Sequence, residues 1–193
     1  MASTDFNRDL WTPICRYDAP PAGQVICCID PQFSSGSRHD ETGLAASVIY
    51  ETEGETHAMR LLDAVGIRRK GADLGNGIVD FLEQHKPVAT FIEGIPAAEI
   101  LRDVIIWKAE VRGLEIGAVI VKAVDRTKGA KAIRIGRLNG IVTEEKPRFF
   151  VQEGDYLEKL FEQLGDFNIE ARRNCKPDDV IDAVAMLLKY LPL

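Results

Sequence analysis

Three aspartates fall within five positions of the stretch KPDDVIDAVAMLL, residues 176–188: Asp178, Asp179 and Asp182. They stand at the mouth of an apolar helix whose stripe is Val180, Val184, Leu187, Leu188 and Leu191. One aspartate suffices as an N-cap, where it contributes about 1 kcal/mol. The positive end of the helix dipole favours a second by about 0.3–1 kcal/mol. Asp178 and Asp182, however, are four apart and Asp179 and Asp182 three apart, and like charges at those facing positions repel. A solvated polar face shared with Lys189 has the same pattern. The chemistry of this helix therefore depends on whether other carboxylates are placed to meet it.

Two such carboxylates are Asp30, closing VICCID, and Glu93, closing VATFIE. Each ends an apolar strand and is followed within two residues by Pro31 or Gly94. In a parallel sheet both acids emerge at the carboxyl edge, where open α/β sheets bind their ligands, and neighbouring strands lie only about 4.8 Å apart. A lone strand-end acid simply reaches water, but two together with an acidic helix start can share divalent ions. Mg²⁺ and Mn²⁺ take hard oxygen ligands, and two ions about 3.5–4 Å apart stabilise both the attacking and the departing oxygen of a phosphodiester. Without a cation such acids repel one another, which makes metal binding pH-dependent.

The elements that must position these groups follow from period and punctuation. Residues 1–22 are polar, carry Pro13, Pro20 and Pro21, and show no period; they read as an arm or linker, with the domain spanning 23–193. Strands are expected over 24–30, 44–51, 55–66, 88–93 and 114–121, with a short one over 148–152. Helices are expected over 71–85, 96–112, 156–164 and 178–191. The order is three antiparallel strands, then parallel crossovers, with helices on the faces of a mixed sheet. This α/β order is that of the RNase H-like fold.

The 193 residues suffice for one core without disulfides. Cys15, Cys27, Cys28 and Cys175 lack metal-finger spacing and read as reduced core residues. No apolar run is long enough for a membrane span, and the polar residues after Met1 are unlike a signal peptide. The net charge of −6 argues against a general nucleic-acid coat. It conceals a basic strip over 122–137 (Lys122, Arg126, Lys128, Lys131, Arg134, Arg137), broken only by Asp125, and a smaller cluster at Arg172, Arg173 and Lys176. Either strip also fits a solvated helix face. His39, His57 and His85 have no ligand spacing, and Trp11 and Trp107 suit packing better than base stacking.

Asp30, Glu93 and the DDVIDA helix start, preceded by KGAKAIRI and a Gly140-Ile141-Val142 turn, resemble the nuclease domain of the tailed-bacteriophage terminase large subunit over about residues 23–190. The D-x-x-D-A start is also similar to that of Holliday-junction resolvases. The resemblance implies a Mg²⁺/Mn²⁺-dependent endonuclease that cuts double-stranded concatemeric DNA during genome packaging. It implies two ions held by Asp30, Glu93, Asp178, Asp179 and Asp182, with Asp30, Glu93, Asp179 and Asp182 catalytic. Asp179 is favoured over Asp178 as a direct ligand, Asp178 being the cap, and the carboxyls of Asp30, Glu93 and Asp179 are expected to converge. Lys128, Lys131 and Arg134 would hold DNA phosphates without reading sequence. The implied partners are an ATPase motor, the small terminase subunit and the portal protein, in the cytoplasm of a bacterial host. Two departures stand out. No G-x-x-x-x-G-K-[ST] loop is present, so an isolated nuclease domain without a motor is expected, and Pro177 occupies the place where the family often has a polar residue. A junction resolvase and a catalytically silent docking module are the alternatives.

Overall fold

The computed structural model describes residues 6–32, 41–53, 57–69, 71–123, 130–142, 148–167 and 178–191. In chain order the elements are α1 (Arg8–Trp11), β1 (Cys15–Arg16), β2 (Gln24–Asp30), β3 (Thr42–Glu51), β4 (His57–Ile67) and α2 (Ala72–His85). These are followed by β5 (Ala89–Glu93), α3 (Ala98–Val111), β6 (Ala118–Lys122), α4 (Ala130–Val142), β7 (Phe149–Gln152), α5 (Tyr156–Asp166) and α6 (Asp179–Leu187). Among the described residues one sheet runs in the order β1-β7-β4-β3-β2-β5-β6. β2, β3 and β4 are antiparallel, whereas β5 joins β2, β6 joins β5 and β7 joins β4 in parallel. That is the expected mixed sheet. No described helix is long and apolar enough to cross a membrane.

The sheet is buried on both faces, which is why β2 reads as an almost unbroken apolar run rather than an alternating one. Ile26 and Cys28 face a core made with α5 and α6, and Cys27 and Ile29 face a second core made with α2 and α3. Successive side chains alternate between faces, so Asp30, two beyond Cys28, lies on the α6 side. Helix α6 is buried along its whole length and lies across β2, β3 and β4.

Three expectations are corrected. Residues 6–22 are not merely an arm: Trp11 is fully buried, edge-on to Phe149 and Phe161 at 6.3 Å each, and β1 pairs with β7. Residues 140–142 are the last turn of α4 rather than a separate turn between the basic segment and the DDVIDA helix. Finally, β6 begins at Ala118 because Gly117 adopts a left-handed φ of 66°. A Cβ there would stand 2.3 Å from the Pro87 carbonyl oxygen, so the chain enters the strand only past this glycine.

Candidate metal centre

Asp30 and Glu93 end adjacent parallel strands, with Ile29 level with Ile92. Asp182 descends on them from the first turn of α6. One carboxylate oxygen from each of these three residues lies within 4.8 Å of the other two. Gly43 on β3 permits this approach. It is paired with Asp30, and a Cβ on it would stand 2.0 Å from the backbone carbonyl of Asp179. The helix start therefore rests directly on the strand next to the acids.

Two cations from α4 face the acids. The Lys131 ammonium is 3.0 Å from Asp178, 3.2 Å from Asp182 and 3.8 Å from Asp30. Arg134 is buried and donates to both oxygens of Asp182, Nε to Oδ1 and Nη2 to Oδ2, at 2.6 Å each. Burial pushes the Asp30 carboxyl up to about 9, reinforced by its hydrogen bond with Glu93 and the Asp182 charge and opposed by Lys131. Desolvation acts to lower the Lys131 ammonium, but the charges of Asp182, Asp30 and Asp178 outweigh it and raise the group above its ordinary value. Three hard-oxygen donors within 4.8 Å, with an ammonium already drawn among them, form a donor set that fits a divalent cation.

The remaining acids have other partners. One Asp179 oxygen accepts from the Glu41 backbone N–H at 3.0 Å, so the acids that converge are Asp30, Glu93 and Asp182, with Asp179 turned toward the start of β3. Asp178 makes no side-chain capping bond; its carboxylate meets Lys131 instead. The Ile181 amide is capped from outside the helix by the Gln163 side chain of α5 at 3.2 Å. Arg134 is not an open phosphate contact, because it is spent on Asp182. Lys128, His39 and Asp40 lie outside the described residues. Trp107 does not pack inward but is 59% exposed on α3.

Sequence reasoning missed Glu41. Its carboxylate is buried, Arg68 at 2.5 Å and Lys159 both engage it, and its amide anchors Asp179. The signal available was position: Glu41 immediately precedes Thr42-Gly43, the start of the strand that pairs with Asp30.

Solved structures share this arrangement of strands. The nuclease domain of the human cytomegalovirus terminase aligns with a TM-score of 0.61 at 15% identity, covering 88% of this chain and 83% of that one. A mutant nuclease domain of the large terminase subunit of bacterial virus Sf6, with manganese and β-thujaplicinol, gives 0.64 at 12% identity over 93% and 96%. The chain has the RNase H-like fold of terminase nuclease domains. The fowlpox virus Holliday junction resolvase is similar at a TM-score of 0.51 and 16% identity, over 86% of this chain and 96% of that one. No protein-family model matches the sequence, and no curated protein matches it significantly. The likeness to this RNase H-like group is thus one of fold, and the side chains must carry the chemistry.

Proposed function

We propose that the chain is a metal-dependent endonuclease that cuts double-stranded DNA by two-metal phosphodiester hydrolysis, in the manner of a terminase nuclease during viral genome packaging. The observation that carries this reading is the convergence of Asp30, Glu93 and Asp182 at the carboxyl edge of the sheet. A Sf6 terminase nuclease domain of the same fold has been solved with manganese, which supports it.

Asp30, Glu93 and Asp182 would hold Mg²⁺ or Mn²⁺, which supplies Lewis-acid stabilisation of the phosphate oxygens and a nucleophilic water at neutral pH. The protein's part is orientation. β2 and β5 fix two carboxylates on rigid strand ends, Arg134 fixes the third from behind, and Asp30 would have to be deprotonated to serve as a ligand. Lys131, beside the acids and partly exposed, would meet a phosphate of the substrate. An ATPase motor, the small subunit and the portal protein are the proposed partners, within a bacterial host.

Incubation with supercoiled plasmid and Mn²⁺ or Mg²⁺ tests the reading. Nicking that is abolished by chelator and by Asp30→Ala is expected, and an absence of nicking at every metal concentration overturns it. The fowlpox likeness favours one second reading, a junction resolvase, which would cut four-way DNA in preference to linear duplex.

A further inference from the structure

Strand β4 runs to Ile67, but its outer neighbour β7 pairs only with Met59, Arg60 and Leu61. Among the described residues no strand continues that side of β4. In an antiparallel ladder, successive residues direct their backbone groups alternately toward the partner strand and away from it. The Ala64 N–H donates to the side chain of its own neighbour Asp63 at 2.8 Å. Ala64 is therefore an outward residue, and Gly66, two further along, is the next. The Ala64 carbonyl and both polar groups of Gly66 thus point off the sheet.

A cleft lies on each face of this open edge. One of about 560 Å³, toward α5, is lined by Ala64, Gly66, Tyr156 and Lys159. The other, of about 470 Å³ and toward α2, is lined by Ile67, Arg69 and Phe81. An added strand places alternate side chains on opposite faces, so one extended segment reaches both clefts while its backbone completes the ladder. Charge gives the segment a direction. Arg68 is engaged by Glu41, and Asp80, across the second cleft, by Arg112. Arg69 is exposed and meets no carboxylate among the described residues.

We infer that the open edge of β4 over Ala64–Ile67 accepts an extended segment of a partner protein as an added strand, with an acidic side chain of that segment against Arg69. Sheet edges left open invite self-pairing unless blunted; the irregularity in β4 opposite Ala46 and Ser47 and the Asp63 bond to Ala64 both precede Gly66, and the Glu41 and Lys159 charges beside Gly66 lie on one face of the sheet. This inference is independent of the nuclease reading.

The test uses the full chain and a synthetic peptide of about ten residues, alternating valine and threonine and ending in two aspartates, with a twin ending in two lysines. Amide hydrogen exchange is followed by NMR. The Gly66 amide is expected to exchange freely in the protein alone and at least tenfold more slowly with millimolar acidic peptide. The lysine twin should bind about threefold more weakly, as an exposed ion pair dictates, and Arg69→Glu, a surface change, should reverse the preference. A Gly66 amide already protected in the free monomer overturns the inference, as does unchanged exchange at millimolar peptide. So does an unreversed preference in Arg69→Glu, or protection that appears with protein concentration alone, which would make a second copy the occupant.

Discussion

Arg134 holds Asp182 by both oxygens, Nε on Oδ1 and Nη2 on Oδ2, with the two side chains only 9% and 1% exposed. A planar guanidinium matches a carboxylate in this way and fixes its orientation as well as its charge. The basic strip thus contributes to the acidic site from behind, and the orientation of one of the three converging acids depends on a residue that itself meets no open surface.

Without Arg134 the buried Asp182 carboxylate keeps only the partly exposed Lys131 ammonium at 3.2 Å, and breaking a buried pair costs up to about 3–5 kcal/mol. Arg134→Ala should lower the unfolding free energy by that amount in urea titration. Arg134→Met combined with Asp182→Leu should recover most of it, because no charge is then left unpaired. Arg137→Ala, three residues on and exposed, should change stability by less than about 0.5 kcal/mol. Equal losses for Arg134→Ala and the double variant would contradict this account.

The Asp30 carboxyl, raised to about 9 by burial first and the Glu93 hydrogen bond second, makes a signed pH prediction. Its folded value lies above the unfolded one of about 3.9, so the fold binds the proton more tightly than the unfolded chain does. Asp30's contribution to metal-free stability is complete below about pH 4 and is lost as pH rises through 9. A divalent ion must displace the same proton, so metal affinity should climb with pH up to about 9, by at most tenfold per unit for one proton. Thermal melts in chelator and Mn²⁺ calorimetry from pH 5 to 9.5 measure the two trends, and Asp30→Asn should flatten both. A metal-free Tm that rises across the window relative to Asp30→Asn would refute the assignment.

Strand ends and helix starts announced themselves in the sequence because their signals are local. VICCID and VATFIE carried their acids at the right edge, and the element order was sufficient for the fold. Helix α4 was not legible: Gly136, Asn139 and Gly140 are poor helix formers, and the helix is held by burying Ile135 and Leu138 against α6. Trp11 was missed for the same reason, since a prolyl, aperiodic segment does not show where one aromatic docks. The division of labour among Asp178, Asp179 and Asp182 was the least readable part. All three sit within one helical turn, and what separates them is tertiary: Lys131 meets Asp178, the Glu41 amide holds Asp179, and Arg134 directs Asp182.

The buried Trp11 makes residues 6–22 part of the folding unit. Its indole packs between Phe149 of β7 and Phe161 of α5. Trp11→Ala should cost about 3–5 kcal/mol, as large-to-small core changes do, and a chain starting at Gly23 should melt lower still because it also loses β1. A truncated chain as stable as the full one in urea would return the segment to the status of a linker.

Gly43 tests whether the approach of α6 to the sheet makes the site. A methyl group on Gly43 would lie 2.0 Å and 2.4 Å from the carbonyl oxygen and carbon of Asp179, both backbone atoms at a helix start that cannot rotate away. The helix must lift, and Asp182 must lift with it from Asp30 and Glu93. Gly43→Ala should therefore destabilise the fold by about 1–3 kcal/mol, the range for overpacking, and weaken Mn²⁺ binding in calorimetry well before the protein unfolds. Gly140 is the internal comparison: it lies inside α4 with open space around its Cβ position. Gly140→Ala should instead stabilise by about 0.5–1 kcal/mol through helix propensity and leave metal affinity unchanged. If Gly43→Ala binds Mn²⁺ as tightly as the parent, the acids find one another without this contact, and α6 is not the element that sets their spacing.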